Sequence, residues 1–264
     1  MHRLIVISDW KGDCLYRSLF EGLVTSMYPD VTISFIDTVR LFSIFEAALI
    51  LRYSVLQYPE NTFFIVGVSS VVPKTNGYLY IKLNNKHIFA PNNGIISLLD
   101  DYSDKMIIRK INYEKSTFPE IELFIPFIEK ILNNENLDEF SKIENSFIKF
   151  TPLLPSFSNN IITASVIYID YLGNAITNVT KDYFQKKVGK NQFTIYPGTK
   201  LINVEKISSS YDEVNEMQPF ALFNSIGLLE IGTKNASLCE HYNLKFLSNI
   251  TIKVYDNASC KNES

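Results

Sequence analysis

An α/β fold is predicted: an N-terminal Rossmann-like α/β sandwich on a mostly parallel sheet, followed by a C-terminal antiparallel β-barrel domain. Three observations predict it. The first seventy residues alternate between a two-residue and a helical apolar period. The segment from Lys149 to Asn160 turns to Pro, Ser and Asn. Beyond it come short strand-like runs with only brief helical pieces.

Taken in order, Leu4 to Ile7 is a buried-strand run. Asp13 is placed to cap a helix carrying Leu15, Leu19, Phe20, Leu23 and Met27, which Pro29 ends. Val31, Ile33 and Phe35 alternate with polar neighbours as a second strand. Ser43 opens a helix with Ile44, Ala47, Ala48, Leu51 and Val55 on one face, and Phe63 to Val68 is a third strand. Two short strands between Tyr78 and Phe89 surround an Asn84-Asn85 turn. A helix from about Ile95, a strand from Met106 to Arg109, and an amphipathic helix from Pro119 to Asn133 complete a domain over residues 1–150. Residues 151–160 read as a linker, 161–255 as the β domain, and 256–264 as a frayed tail. The expected strands of the β domain are Ile161–Ile169, Gln192–Tyr196, Lys200–Val204, Pro219–Asn224, Leu228–Ile231 and Ile250–Val254.

Composition narrows the function classes. With 46% hydrophobic residues in 264, the chain can bury a sizeable core, unlike a disordered protein. A net charge of -3 with no Lys/Arg cluster lacks the electrostatic footprint of a nucleic-acid binder. Apolar stretches such as Ala47 to Leu51 fall far short of the roughly 20 residues that span a bilayer. The run at Leu4 to Ile7 leads into Ser8, Asp9 and Trp10 without a small-residue cleavage site, so a cytoplasmic protein is expected. Cys14, Cys239 and Cys260 are odd in number and unpaired in spacing, which favours free thiols over disulfides or a zinc site.

In open parallel sheets ligands bind beyond the carboxyl ends of the strands. Here those ends carry Asp9, Asp37 and the Ser69-Ser70 pair.

Four segments in order carry a resemblance. Ser8-Asp9-Trp10 resembles a T-D-F-G opening, and Phe89 to Gly94 resembles an A-P-D/N-N-G loop. Ile169 to Asn178 resembles I-D-x-F-G-N-x-x-T-N, and Asn224 to Ile231 resembles N-S-x-G-x-L-x-I. Together they resemble the S-adenosylmethionine (SAM) hydrolases, or SAM hydroxide adenosyltransferases, relatives of the fluorinase and chlorinase. The resemblance implies a homotrimer whose active site lies between the N-terminal domain of one subunit and the C-terminal domain of the next. It also implies a small-molecule nucleoside substrate, with SAM as substrate rather than cofactor, and no metal.

Within that resemblance Asp9 matches the ribose-binding Asp; its alternative is a cap for the following helix. A carboxylate suits a ribose diol because it accepts both hydroxyl hydrogens. Asn93 is a second substrate-binding candidate or a turn residue beside Gly94. Asn174 matches the adenine-contacting Asn, although Gly173-Asn174 is also a common tight-turn pair. Ser225 resembles the residue holding the methionine end, or is a hydroxyl satisfied between strands. Asp170 is placed to bind the amino-acid ammonium or to close its strand, and Leu172 replaces the aromatic expected to cover the base.

The departures concern the reacting centre. The family's V-D-P-G-V-G loop supplies an Asp, with an Arg seven residues on and a His in a T-F-H-G segment, held to position the attacking water. Counted from Ala90, the first two positions fall on Ser69 and Asn76, and Ser116 to Pro119 puts Pro119 at the third. Ser69 and Ser70 remain as water-positioning candidates, and His2, His87 and His241 fall outside the matching places. The expectation is adenosine-forming hydrolysis of SAM, with release of L-methionine by water attack at C5'. The alternative is an inactive SAM- or adenosine-binding homologue; halide-dependent adenosyl transfer is a third reading, without a dedicated halide pocket in sight.

Overall fold

The computed structural model describes residues 3–11, 15–198 and 202–255. The chain divides into two compact units, Met1–Thr151 and Pro152–Ser264.

In the first unit β1 (Arg3–Ser8), α1 (Leu15–Met27), β2 (Thr32–Ile36), α2 (Ile44–Gln57) and β3 (Phe63–Gly67) follow in turn. Then come β4 (Tyr78–Leu83), β5 (Lys86–Pro91), a 3-10 segment Ile95–Lys105 and β6 (Met106–Ile111). A π-helical turn Glu120–Phe124, α3 (Ile125–Leu132), a 3-10 turn Leu137–Glu139 and β7 (Ser141–Ile143) finish the unit. The sheet runs β2-β1-β3-β5-β4-β6-β7. It is mixed rather than mostly parallel: β2, β1, β3 and β5 pair in parallel, whereas β4, β6 and β7 join antiparallel.

The unbroken apolar run of β1 is explained by burial on both faces. Ile5 and Ile7, with Phe64 and Val66, pack in one cluster with Ala47, Leu51 and Val55 of α2. Leu4 and Val6, with Phe63 and Ile65, pack in another with Phe20 and Val24 of α1 and Phe127 and Ile128 of α3. Asn84 and Asn85 both take positive φ (47° and 56°), as a two-residue hairpin turn requires.

The face expected for α1 is displaced by one row. Phe20 and Val24, four apart, are buried, while Leu15, Leu19, Leu23 and Met27 are exposed. Adjoining i, i+4 rows are both apolar here, and only one can face the sheet. The segment after Ile95 is 3-10 rather than α-helical, with non-helical backbone at Leu99. The expected Pro119 helix is a π-turn running into α3.

The second unit contains β8 (Ser156–Ser158), β9 (Ile161–Ile169), β10 (Ala175–Thr180), α4 (Lys181–Val188) and β11 (Gln192–Pro197). After these come β12 (Ile207–Ser208), a 3-10 turn Tyr211–Glu213, β13 (Pro219–Phe223), β14 (Leu228–Thr233), α5 (Leu238–His241) and β15 (Asn249–Tyr255). Its sheet runs β11-β15-β9-β10-β14-β13-β12, antiparallel except at β12/β13, with β8 added beside β9. Among the described residues the strand path ends at β11 and β12, a half-barrel. Ile162, Ala164 and Val166 of β9 and Ile250, Ile252 and Val254 of β15 alternate into its core.

Residues 156–160, read as linker, instead form a hairpin into β9, because Asn159 and Asn160 (φ 50° and 58°) accept the left-handed turn. Of the expected Lys200–Val204 strand, 200 and 201 lie outside the described residues, and Val204 bridges Ile195. His2, Asp13, Cys14, Cys260 and the tail also lie outside them. Among the described residues no helix is long and apolar enough to cross a membrane. Cys239 is buried and free, with burial pushing its thiol up to about 11.

His87 of β5 is a core residue. Its ring stacks on Phe63 with centroids 4.5 Å apart, and its Nδ1 lies 2.9 Å from the Tyr80 hydroxyl. Burial, helped by Lys82, lowers its pKa to about 4 from 6.5. The unfolded chain therefore takes up a proton that the folded chain refuses as pH falls from about 6.5 to about 4, and stability drops in that window. The stability advantage of wild type over H87Q, from urea melts, is expected to shrink across that range. An advantage independent of pH would contradict a neutral buried imidazole.

Candidate functional site

In the first unit the carboxyl ends of β1 and β3 bring four sequence-predicted positions together with a fifth that sequence reading missed. Asp9 follows β1 directly, and its Oδ2 accepts the backbone N–H of Phe42 at 2.9 Å. Phe42 itself has φ 61°, so the loop after β2 is held in a strained turn by this carboxylate. The next strand-end acid, Asp37, accepts from the Arg17 guanidinium and is thereby committed to an ion pair. Whether Asp9 caps a helix falls on residues outside the described ones.

Ser69 and Ser70 follow β3, with Ser69 at φ 47°. Asn93 fixes their turn: its Nδ2 donates to the carbonyls of Val68 and Ser69, each at 3.2 Å. Its Oδ1 accepts the Ile95 N–H at 3.2 Å. The amide thus works as a clasp between the loop at residues 90–94 and the end of β3. Neighbouring Asn92, buried, donates to the Asn76 carbonyl at 3.0 Å and accepts the Ile148 N–H at 2.9 Å. Asn76 accepts the Thr75 hydroxyl at 3.3 Å, and Pro119 opens the π-turn.

The missed residue is Glu120, first of that π-turn and only 1% exposed. Its Oε1 is buried without a hydrogen-bond partner. It lies against Gly67, where an added Cβ would come within 2.8 Å of Oε1 and 3.0 Å of the Trp10 indole. Trp10 in turn packs edge-on against Phe118, centroids 5.3 Å apart. Burial pushes the Glu120 carboxyl up to about 7; Asp9 adds to the rise, while its own backbone N–H and the Ser70 side chain oppose it. Glu122, two residues on, is the reverse case. It accepts from the hydroxyls of Ser116 and Thr117 and from two backbone N–H groups, which hold it down at about 2.

In the second unit Asp170, Leu172 and Asn174 share the turn between β9 and β10. Asp170 Oδ1 accepts the N–H groups of Leu172 (2.9 Å) and Asn174 (2.8 Å), and Oδ2 accepts Asn174 Nδ2 at 2.9 Å. Gly173 has φ 80°, and a Cβ there would lie 2.0 Å from Ser237 Oγ. These three hydrogen bonds close the turn after β9. Asn174 is buried, whereas Leu172 and Tyr171 project into solvent. Beside this turn lies a groove of about 360 Å³ lined by Asp170, Tyr171, Ser237, Glu240 and Asn243 among others.

Ser225 is exposed in the turn between β13 and β14. That turn is organised by Asn224, whose Oδ1 accepts the N–H groups of Ile226 (3.2 Å) and Leu228 (3.1 Å). The buried Glu230 accepts Asn224 Nδ2 at 3.2 Å and the Tyr211 hydroxyl at 2.8 Å. Among the described residues no group of three His, Cys, Asp or Glu side chains is placed to hold a metal ion.

Two outcomes follow from these contacts. Glu120's pKa is raised on folding, so stability is full below about pH 4.5 and is lost as pH rises towards 7. E120Q, which cannot ionise, is expected to be more stable than wild type by up to about 3 kcal/mol at pH 8 and to converge with it near pH 4. Thermal melts across that range check this, and equal curves at both ends would contradict it. D170A removes an acceptor of three hydrogen bonds, and a denaturant-measured loss of about 2 kcal/mol or more is expected for the second unit.

Residues 4–141 match the SAM hydroxide adenosyltransferase N-terminal domain, and residues 164–251 match the corresponding C-terminal domain. A protein named (R)-S-adenosyl-L-methionine hydrolase from Methanocaldococcus jannaschii is 25% identical over 232 residues, 81% of this chain and 80% of that protein. An uncharacterized conserved protein of known crystal structure from Thermotoga maritima shares the fold at a TM-score of 0.84 and 21% identity, covering 95% of this chain and 99% of its own. A conserved hypothetical protein from Thermus thermophilus does so at 0.72 and 18%, covering 97% and 100%. With the N-terminal family domain matched over residues 4–141 and the C-terminal one over residues 164–251, the chain belongs to the SAM hydroxide adenosyltransferase family.

Proposed function

We propose that this protein is an adenosine-forming SAM hydrolase, in which water attacks the ribose C5' and L-methionine departs. The observation that carries the reading is the presence of both family domains with Asp9 held at the carboxyl edge of the parallel strands. SAM brings its own leaving group: the sulfonium departs as a neutral thioether, so no acid is needed. What the protein supplies is grip, alignment and a desolvated nucleophile.

In this reading Asp9 takes the ribose hydroxyls, and Asn93 sets the Ser69-Ser70 turn that faces the nucleophile. The turns containing Asp170, Leu172 and Asn174, and Ser225, supply the contacts to base and methionine expected from the family. The reading includes a cytoplasmic homotrimer with an active site between subunits, to be checked by sedimentation. A second reading, binding without turnover, is favoured by Ser69, Asn76 and Pro119 standing where the family carries Asp, Arg and His.

Incubation with each sulfonium epimer of SAM, followed by chromatography, is expected to yield adenosine and methionine in equal amounts. Heat released on SAM binding with no product would favour the second reading, and absence of both would remove the two together. D9A is expected to lower kcat/KM at least about tenfold, since it removes charge-assisted hydrogen bonds to the diol.

A further inference from the structure

A carboxylate withdrawn from water is costly unless it is paired or hydrogen-bonded, so an unpartnered one calls for an explanation. Glu120 is 1% exposed, and its Oε1 has no partner. Several features keep it there. The π-turn sets it at the head of α3, a local distortion frequent at functional sites. Gly67 leaves the room that a Cβ would take, and Trp10 covers the same point. The Ser70 side chain lies against it from the end of β3. The titratable groups facing it are Asp9 from the end of β1 and Tyr78 from β4. Glu122, on its own turn, is engaged with residues 116–118.

We propose that Glu120 is the positioning residue for the reaction: it accepts the Ser70 proton, leaving the Ser70 oxygen to accept a proton from the attacking water. This rests on the hydrolase reading and supplies the proton acceptor that Ser69, Asn76 and Pro119 cannot. The step balances. The water oxygen bonds to C5' as the C5'–S bond breaks, and the electron pair of that bond leaves with the methionine sulfur. The water proton passes to Ser70 Oγ while the Ser70 proton moves to the Glu120 carboxylate, which later returns it to solvent. Ser70 alone is a poor acceptor of a proton, and a carboxylate behind it changes that. Asp9, a second negative charge nearby, favours the protonated product state of Glu120.

The test compares wild type, E120Q, E120D and S70A in SAM affinity by calorimetry and in the pH profile of kcat for adenosine release. E120Q is expected to bind SAM within about threefold of wild type while kcat falls about 100-fold or more. The wild-type rise in kcat through about pH 7 should vanish in E120Q and S70A and partly return in E120D. A wild type that hydrolyses SAM beside an E120Q retaining kcat and the rise would overturn the proposal and leave the hydrolase reading standing. Equal loss of affinity and kcat in E120Q would also overturn it, by marking a structural role. Should E120Q fail to fold, S70A decides: a rise unchanged in S70A overturns the relay, and its loss with affinity kept supports it. No turnover by wild type overturns the hydrolase reading, and this proposal with it.

Discussion

Burial of β1 and β3 on both faces is the constraint on which the N-terminal unit depends. Helices on opposite faces cover the sheet, so every side chain from Leu4 to Ile7 and from Phe63 to Val66 is committed to packing. Polar chemistry can enter only where the strands stop. That places Ser8 and Asp9 beside Ser69 and Ser70, because β1 and β3 run parallel in register, with Ser8 opposite Gly67. The site is an edge effect of two strands that carry nothing polar from Leu4 to Ile7 and from Phe63 to Val66.

Three buried or half-buried carboxylates show how differently the fold treats one chemical group. Asp170 is saturated by its own turn and so acts as a brace. Glu230 is satisfied by Tyr211 and Asn224, joining the 3-10 turn to the β13–β14 hairpin. Glu120 is left with an oxygen unmet, and the cost appears as a carboxyl held near neutrality. A brace gains from complete satisfaction, whereas a proton acceptor needs to be incomplete. Their local environments, not their residue types, separate these roles.

Much of the architecture was legible because alternation and helical spacing are local. The βαβαβ order, the Asn84-Asn85 turn and most strands of the second unit followed from such patterns. Apart from the hairpin at residues 156–160, what failed was nonlocal. Leu15, Leu19, Phe20, Leu23 and Met27 were all expected on the apolar face of α1, but of these Phe20 alone, together with Val24, is buried against the sheet. Residues 156–160 looked like linker because Pro, Ser and Asn mark turns in general, whereas Asn159 and Asn160 make one particular hairpin. Asn93 was legible as a loop residue, but its clasp on Val68 and Ser69 spans 25 and 24 residues of chain.

By itself the sequence determined the periodicities and the four ordered motifs. The tertiary structure alone decided that Glu120, an ordinary acid at the start of an amphipathic helix, is sealed beneath Trp10 and beside Gly67. Spacing records which residues share a face of one element. Desolvation is set by what other elements bring to that face, and Gly67, Ser70 and Trp10 lie fifty residues or more from Glu120 in the chain.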